Sequence, residues 1–228
     1  MIDGFEVHGT ITIAAPGVVI KNTRVIGGTT PGDSGLVNNI ASGDSFEIID
    51  SELVPQVQST LWNGIMGSNF TATRVNIHGV VDPIHIIGDN VTVTDSYLHD
   101  TYHLEQDPLR DYTPTHDDIV QIQIGKNLLF ENNTMSGSQN TVFMVTQDRG
   151  SVGDMTISDN YLDGGNCSIN VNEKSNGPLS DVLIDGNLFG PNRTISYCAV
   201  YIPPTSDITL TENYWEATGE LVEPVWRY

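Results

Sequence analysis

The stretch "VTVTDSYL", residues 91–98, has two apolar residues flanking one position, then a short polar run, then an apolar residue at the eighth place. Seven further octets share this pattern. They are VVIKNTRV from Val18, FEIIDSEL from Phe46, FTATRVNI from Phe70, LLFENNTM from Leu128, MTISDNYL from Met155, VLIDGNLF from Val182 and ITLTENYW from Ile208. The opening "IDGFEV" reads as the end of one further copy. Alternating β-branched and aromatic residues predict strands, and the Gly, Asn, Asp and Pro between copies predict turns.

The intervals between successive octets are 28, 24, 21, 37, 27, 27 and 26 residues. Most of these lengths suit a coil of about three short strands, which buries its inward residues only by stacking on the next coil. The sequence therefore predicts an all-β, single-domain parallel β-helix of eight to nine coils over residues 1–228. Leucine-rich repeats have similar periods but differ in leucine spacing, and β-sandwich strands do not recur as near-identical octets.

Stacked coils place equivalent residues about 4.8 Å apart, and this spacing gives two further predictions. The first is a turn ladder that caps backbone groups at the fifth place of most octets. Its members are Asn22, Asp50, Asp95, Asn132, Asp159 and Glu212. The second is that Cys167 and Cys198 are neighbours in successive coils, close enough for a disulfide in an oxidising environment.

The composition excludes several classes of function. The formal charge of −20 repels nucleic acid phosphates, and no apolar run approaches the roughly 20 residues of a membrane-spanning helix. The acidic charge indicates either general solubility or a carboxylate-lined site for cations or sugar hydroxyls. "MIDGFEVHGT" lacks the features of a signal peptide, so we expect a mature form, an excised module or another export route, with an extracellular or phage-virion location.

The octets resemble the right-handed parallel β-helix proteins of the pectin-lyase-like superfamily, particularly bacterial extracellular and phage-type modules. The segments that carry the resemblance are "DNVTVTDSYLHD", "DMTISDNYLDGG" and "ITLTENYWEATGELVEPV". The resemblance covers nearly the whole chain and implies a right-handed β-helix. That superfamily includes polysaccharide lyases, glycoside hydrolases, epimerases, tailspikes and inert adhesins, so the fold does not choose the function.

The 37-residue interval marks an insertion at about residues 99–118, which we expect to protrude as a loop on one face. Residues 75–125 contain five of the six histidines and nine carboxylates, with Arg110 among them. Overlaying "VDPIHI" on "DDIVQI" places Asp82 beside Asp118 and His85 beside Gln121. Repulsion between two adjacent carboxylates should raise one pKa, and such a divided pair suits acid–base chemistry on a glycosidic bond. A turn-ladder role for both carboxylates remains the alternative.

"HDDIVQIQIGKNLLFENN" also resembles the Asp-Asp strand of polygalacturonases. The resemblance implies that Asp117 and Asp118 are the acid and base carboxylates. However, the next coil, "SGSQNTVFMVTQ", has no Gly-His-Gly, the Arg-Ile-Lys signature is absent, and the insertion replaces the expected Asn-Thr-Asp. These departures argue against inverting hydrolysis of that kind.

An eliminative lyase needs a base at the sugar C5 atom, a proton donor and a cation for the uronate carboxylate. Candidate bases or donors are His85, His116, Tyr102 and Lys126, and candidate cations are Arg110 and Arg149. Trp62, Tyr102 and Tyr112 could stack on sugar rings, or they could anchor loops and fill the core.

The sequence also leaves two kinds of metal site as alternatives. Calcium suits the carboxylate oxygens of Asp82, Asp107, Asp117 and Asp118, whereas a transition metal suits the three insertion histidines, His99, His103 and His116.

The preferred hypothesis is a carbohydrate-active module that binds, and by preference cleaves, a polysaccharide in an acidic cleft. The insertion would fold over the coil bearing Asp82 and His85 to form that cleft. The predicted catalytic residues are Asp82, His85, His116, Asp117 and Asp118, and the predicted substrate-binding residues are His99, Tyr102, His103, Arg110, Tyr112, Gln121, Lys126 and Arg149. The alternative is a non-catalytic phage-tail, tailspike or adhesin segment, as part of a larger chain or assembly.

Overall fold

The computed structural model describes residues 1–29, 32 and 34–228. It is a parallel β-helix of nine coils, in which each coil contributes one strand to each of three nine-stranded parallel sheets. This confirms the predicted fold class and coil number. Within the described residues, no helix is long and apolar enough to cross a membrane.

The three sheets follow one another around each coil. Sheet 1 contains the first half of every octet, in strands Ile2–Asp3, Val18–Lys21, Phe46–Ile49, Phe70–Thr73, Val91–Thr94, Leu128–Glu131, Gly153–Ser158, Ser180–Asp185 and Ile208–Thr211. Sheet 2 contains Glu6–Val7, Arg24–Val25, Glu52–Leu53, Asn76–His78, Tyr97–His99, Thr134–Ser136, Tyr161–Asp163, Leu188–Phe189 and Tyr214–Trp215. Sheet 3 contains Ile11–Thr12, Ser34–Asn38, Trp62–Gly67, Asp82–Ile87, Asp118–Ile124, Thr141–Val145, Ile169–Val171, Val200–Ile202 and Val225–Trp226. A 3₁₀ turn, Lys174–Asn176, follows the seventh coil.

The strand register follows the octet alignment residue by residue. Val91 pairs with Phe70 on one side and with Leu128 on the other, so the first octet positions stack through the core. Ile2 pairs with Ile20, which confirms that the opening segment is the end of another copy. The first and third octet positions point inward and belong to one continuous apolar core, because each inner coil is covered by the coils on either side.

The fifth octet position forms the predicted turn, but it does not carry the backbone cap. All six predicted ladder residues have positive φ angles of 48° to 55°. Their side chains are exposed and turn towards other side chains or solvent, as Asn132 Nδ2 donates to Asp95 Oδ1 at 2.6 Å. Asn and Asp tolerate this left-handed conformation better than most residues, which accounts for their recurrence.

In the fifth to ninth coils, the sixth position carries the buried ladder that caps the turn. The backbone N–H of Asn133 donates to Asn160 Oδ1 at 2.9 Å, and the N–H of Asn160 donates to Asn187 Oδ1 at 3.0 Å. Asn160 Nδ2 also donates to the carbonyl of Phe130 at 3.0 Å. The sequence prediction put this backbone role one residue too early, because position five faces solvent and position six faces the core.

The disulfide confirms the register at the C-terminal end. Cys167 and Cys198 are bonded, with their Cα atoms 4.8 Å apart, and they lie in the seventh and eighth coils. They are therefore stacked neighbours, as the coil alignment predicted.

Candidate active site

The candidate active site is a cleft of about 270 Å³ on the outer surface of sheet 3. It extends from the fourth coil to the 3₁₀ turn after the seventh, and the insertion, residues 100–117, forms part of its wall. We call it the sheet 3 cleft. Its lining residues are Asp82, His85, Arg110, His116, Asp118, Gln121, Gln123, Asn140, Met144, Thr146, Asp148 and Lys174.

The predicted overlay of the fourth and fifth coils is confirmed. His85 and Gln121 are direct strand partners, and the backbone N–H of Asp118 donates to Asp82 Oδ1 at 3.2 Å. Asp82 and Asp118 are 6% and 1% exposed, so both lie at the base of the cleft. The stacking of coils therefore brings together two carboxylates that are 36 residues apart in the chain.

Asp82 also holds the imidazole of His85. Its Oδ2 lies 2.9 Å from His85 Nδ1, an arrangement that favours a proton on Nδ1 and leaves Nε2 as the free acceptor. His85 Nε2 is buried and has no hydrogen-bond partner in the described protein. A carboxylate-oriented imidazole with a free Nε2 has the arrangement of a general base.

A β-bulge places a second unpartnered atom in the cleft. Ile86 pairs with Ile122 but Ile87 pairs with Ile124, so Gln123 is the extra residue. Its Oε1 is buried and has no hydrogen-bond partner among the described residues. Bulges re-aim side chains beside functional sites, and unpaired buried polar atoms call for an explanation such as a ligand.

Asp118 has the most perturbed carboxyl group of the cleft. Burial raises the pKa of Asp118 well above its usual range, and the charges of Asp82 and Asp117 raise it further. The hydrogen bond from Asn140 Nδ2, at 2.8 Å, and the charge of Arg110 act in the opposite direction. The direction of the shift is the one expected from two adjacent carboxylates, but burial contributes more than their repulsion. A raised pKa favours the protonated form, which can donate a proton.

Asp117 does not line the sheet 3 cleft. It is fully buried and accepts hydrogen bonds from Thr101 Oγ1 at 2.6 Å, His103 Nδ1 at 2.7 Å and the backbone N–H of Gln139 at 2.8 Å. These contacts fasten both ends of the insertion to the sixth coil. The Asp117 and Asp118 side chains therefore have separate surroundings, unlike the acid and base pair implied by the polygalacturonase resemblance.

Asp107 organises the tip of the insertion and is also absent from the cleft. It is fully buried and accepts hydrogen bonds from the backbone N–H of Leu109 at 2.9 Å and from Thr60 Oγ1 at 3.2 Å. Its Oδ2 lies 3.5 Å from Nε of Arg110, whose side chain reaches the cleft. Asp107 therefore positions a cation there instead of lining the cleft itself.

The three insertion histidines are apart from one another. His99 stacks on Tyr97, with ring centroids 3.7 Å apart, on the outer face of sheet 2. His103 is bonded to Asp117, and only His116 of the three lines the cleft. Among the described residues, no three His, Cys, Asp or Glu side chains are arranged to hold a metal ion. The proposed grouping of the three histidines around a transition metal is therefore wrong.

The remaining predicted binding residues lie outside the sheet 3 cleft. Tyr112 is 70% exposed on the insertion, and the backbone N–H of Tyr102 donates to the carbonyl of Val80 at 2.7 Å. Lys126 and Arg149 are exposed residues outside the cleft lining. Trp62 is 2% exposed and belongs to the core, so it offers no surface to a sugar ring.

The sequence prediction missed the cleft residues that come from later coils. Asn140, Met144 and Thr146 lie on or beside the strand Thr141–Val145, and Asp148 and Lys174 form an ion pair at the far end. Octet register could have found one of them, because Met144 is the direct partner of Gln121. Lys174 adds a second cation to the cleft besides Arg110.

No protein family, curated protein or solved structure matches this chain. The assignment of the cleft therefore depends on its own residues and geometry.

Proposed function

We propose that the sheet 3 cleft binds a polysaccharide and cleaves it by acid–base chemistry. One observation carries the proposal: His85, held by Asp82, lies in the same cleft as Asp118, whose pKa is raised. An imidazole oriented by a carboxylate, in the same cleft as a carboxyl group that burial keeps protonated, is the kind of pair that acid–base catalysis uses. The resemblance of the octets to pectin-lyase-like proteins favours the same class of substrate.

In this proposal His85 is the base and Asp118 is the acid. Nε2 of His85 takes the proton from the sugar C5 atom, and Asp118 gives its own proton to the leaving glycosidic oxygen. Asp82 keeps the imidazole oriented, and Asn140 positions the carboxyl group of Asp118. The unpartnered Oε1 of Gln123 would accept a hydrogen bond from a sugar hydroxyl.

The two cations of the cleft favour elimination on a uronate-bearing chain. Arg110 and Lys174 both line the cleft, where Arg110 is paired with Asp107 and Lys174 with Asp148. A sugar carboxylate that shares these cations would be neutralised, which makes the C5 proton more acidic. Removal of that proton by His85 and loss of the C4 oxygen would leave a double bond between C4 and C5. The formal charge of −20 opposes such a substrate at long range, so local cations are needed.

Calcium binding in the cleft is also proposed, with fewer protein ligands than the sequence predicted. Of the four predicted carboxylates, Asp82 and Asp118 line the cleft, and a calcium ion there would need further oxygen ligands from the substrate. An extracellular or virion location is also proposed, and the disulfide supports it because disulfides persist in oxidising surroundings.

The test is an activity panel with the purified chain. Polyuronates and neutral glycans are incubated with and without calcium, while reducing ends and the ultraviolet absorbance of unsaturated sugars are followed. We expect both signals to rise on a polyuronate. Reducing ends without absorbance would replace elimination by hydrolysis, and neither signal on any glycan would overturn cleavage.

A non-catalytic glycan-binding or receptor-binding module, as in a phage tail or adhesin, is the second candidate. The observation that favours it is the depth of Asp118, which is 1% exposed and already bonded to Asn140. This candidate predicts glycan binding with no product in the same panel.

A further inference from the structure

A row of side chains crosses the outer face of sheet 2, away from the sheet 3 cleft. Its members are direct strand partners in the fifth to ninth coils: Tyr97, Thr134, Tyr161, Leu188 and Tyr214. Tyrosine therefore recurs in every second coil, and smaller side chains lie between. Two coils correspond to roughly 9.6 Å at the usual strand spacing. We call this row the tyrosine platform.

The platform is exposed, and two of its rings are held in place. Tyr97 is 44% exposed and Tyr214 is 40% exposed, whereas Tyr161 is half-buried. His99 stacks on one face of the Tyr97 ring, so a ligand can use only the other face, and the hydroxyl of Tyr161 donates to Glu216 Oε2 at 3.1 Å. Rings that are fixed before binding lose little conformational entropy when a ligand arrives.

The exposed fifth-place residues provide hydrogen-bond acceptors beside the platform. Asp95, Asp159 and Glu212 lie two positions before Tyr97, Tyr161 and Tyr214 in their octets, and all three carboxylates are exposed. Carboxylates accept hydrogen bonds from sugar hydroxyls, whereas they repel an anionic chain. Tyrosine rings present an electron-rich face to the C–H groups of a pyranose.

We propose that the tyrosine platform binds a neutral, β-1,4-linked glycan that runs along the solenoid axis. In such a two-fold ribbon, alternate sugar units present the same face, so contacts recur once per disaccharide. This period is close to the distance between tyrosines two coils apart. The platform is a second site, and its binding does not depend on cleavage in the sheet 3 cleft.

The test measures binding to microcrystalline cellulose and chitin, and to their soluble hexasaccharides. The triple variant Tyr97→Ala, Tyr161→Ala, Tyr214→Ala should weaken binding roughly tenfold or more, since each lost aromatic contact costs a few-fold. Tyr197→Ala is the matched control, because Tyr197 is 70% exposed and lies off the platform. It should bind like the unmodified chain.

Two further variants keep the test decisive if the triple variant does not fold. Thr134→Tyr adds a ring between Tyr97 and Tyr161 and should tighten binding, whereas Tyr214→Ala alone should weaken it. Asp118→Asn should bind these glycans normally, which separates this site from the cleft. The proposal is overturned if the unmodified chain binds neither glycan, or if the tyrosine variants bind as tightly as the Tyr197 control.

Discussion

Replacing Asp118 by asparagine separates a catalytic role from a structural one. Asparagine has nearly the same shape, and its Oδ1 can keep the 2.8 Å hydrogen bond from Asn140 Nδ2. Asp118 accepts this one side-chain hydrogen bond, whereas Asp82 is the residue that accepts from a backbone N–H. We therefore expect Asp118→Asn to lower the free energy of unfolding by no more than about 1 kcal/mol.

The same variant should lose most of the activity. Asparagine cannot donate an acidic proton to the leaving oxygen, and general acid catalysis contributes roughly 10²–10⁴-fold in rate. Activity on the best glycan of the panel and denaturant unfolding are measured on one preparation. Asp159→Asn is the control, because Asp159 is exposed at a turn and asparagine tolerates its positive φ angle. If Asp118→Asn loses about 1–3 kcal/mol of stability and no activity beyond that of unfolded protein, the catalytic assignment is refuted.

Three other predictions concern the same structure. Because the pKa of Asp118 is raised in the folded state, this carboxyl group loses its proton at lower pH in the unfolded chain than in the folded one. The free energy of unfolding of the unmodified chain, relative to Asp118→Asn, should therefore fall as the pH rises from 3.8 towards neutrality. Parallel stability profiles for the two proteins would contradict this. Asn160→Ala removes four side-chain hydrogen bonds and should lower the free energy of unfolding, measured with denaturant, by about 3–5 kcal/mol. The control Asn132→Gly, at an exposed turn position, should lower it by about 1 kcal/mol or less. The double variant Cys167→Ser, Cys198→Ser removes a disulfide between residues 31 positions apart and should lower the free energy of unfolding by about 3–4 kcal/mol. A reductant should lower the melting temperature of the unmodified chain but not that of the double variant.

The repeat determined most of the fold from sequence alone. Each octet has the same alternation, and a parallel coil can bury its inward residues only against an equivalent residue of the next coil. That constraint was sufficient to place His85 beside Gln121 and Cys167 beside Cys198. It did not identify which polar position faces inward at the turn, because the left-handed conformation at Asn132 and the burial of Asn133 follow from the backbone path.

The site depended on tertiary structure at the points where the repeat is interrupted. Asp117 and Asp118 are adjacent and chemically identical, yet Asp117 bonds the insertion and Asp118 faces the cleft. The sequence-based prediction placed Asp117 and Asp118 in one site because a sequence shows which residues are adjacent in the chain but not where their side chains point. Lys174 reaches the cleft from a turn about 56 residues after Asp118, a distance that no local pattern encodes. The repeat thus determined which strands are neighbours, whereas the packing of the irregular segments decided which side chains share the cleft.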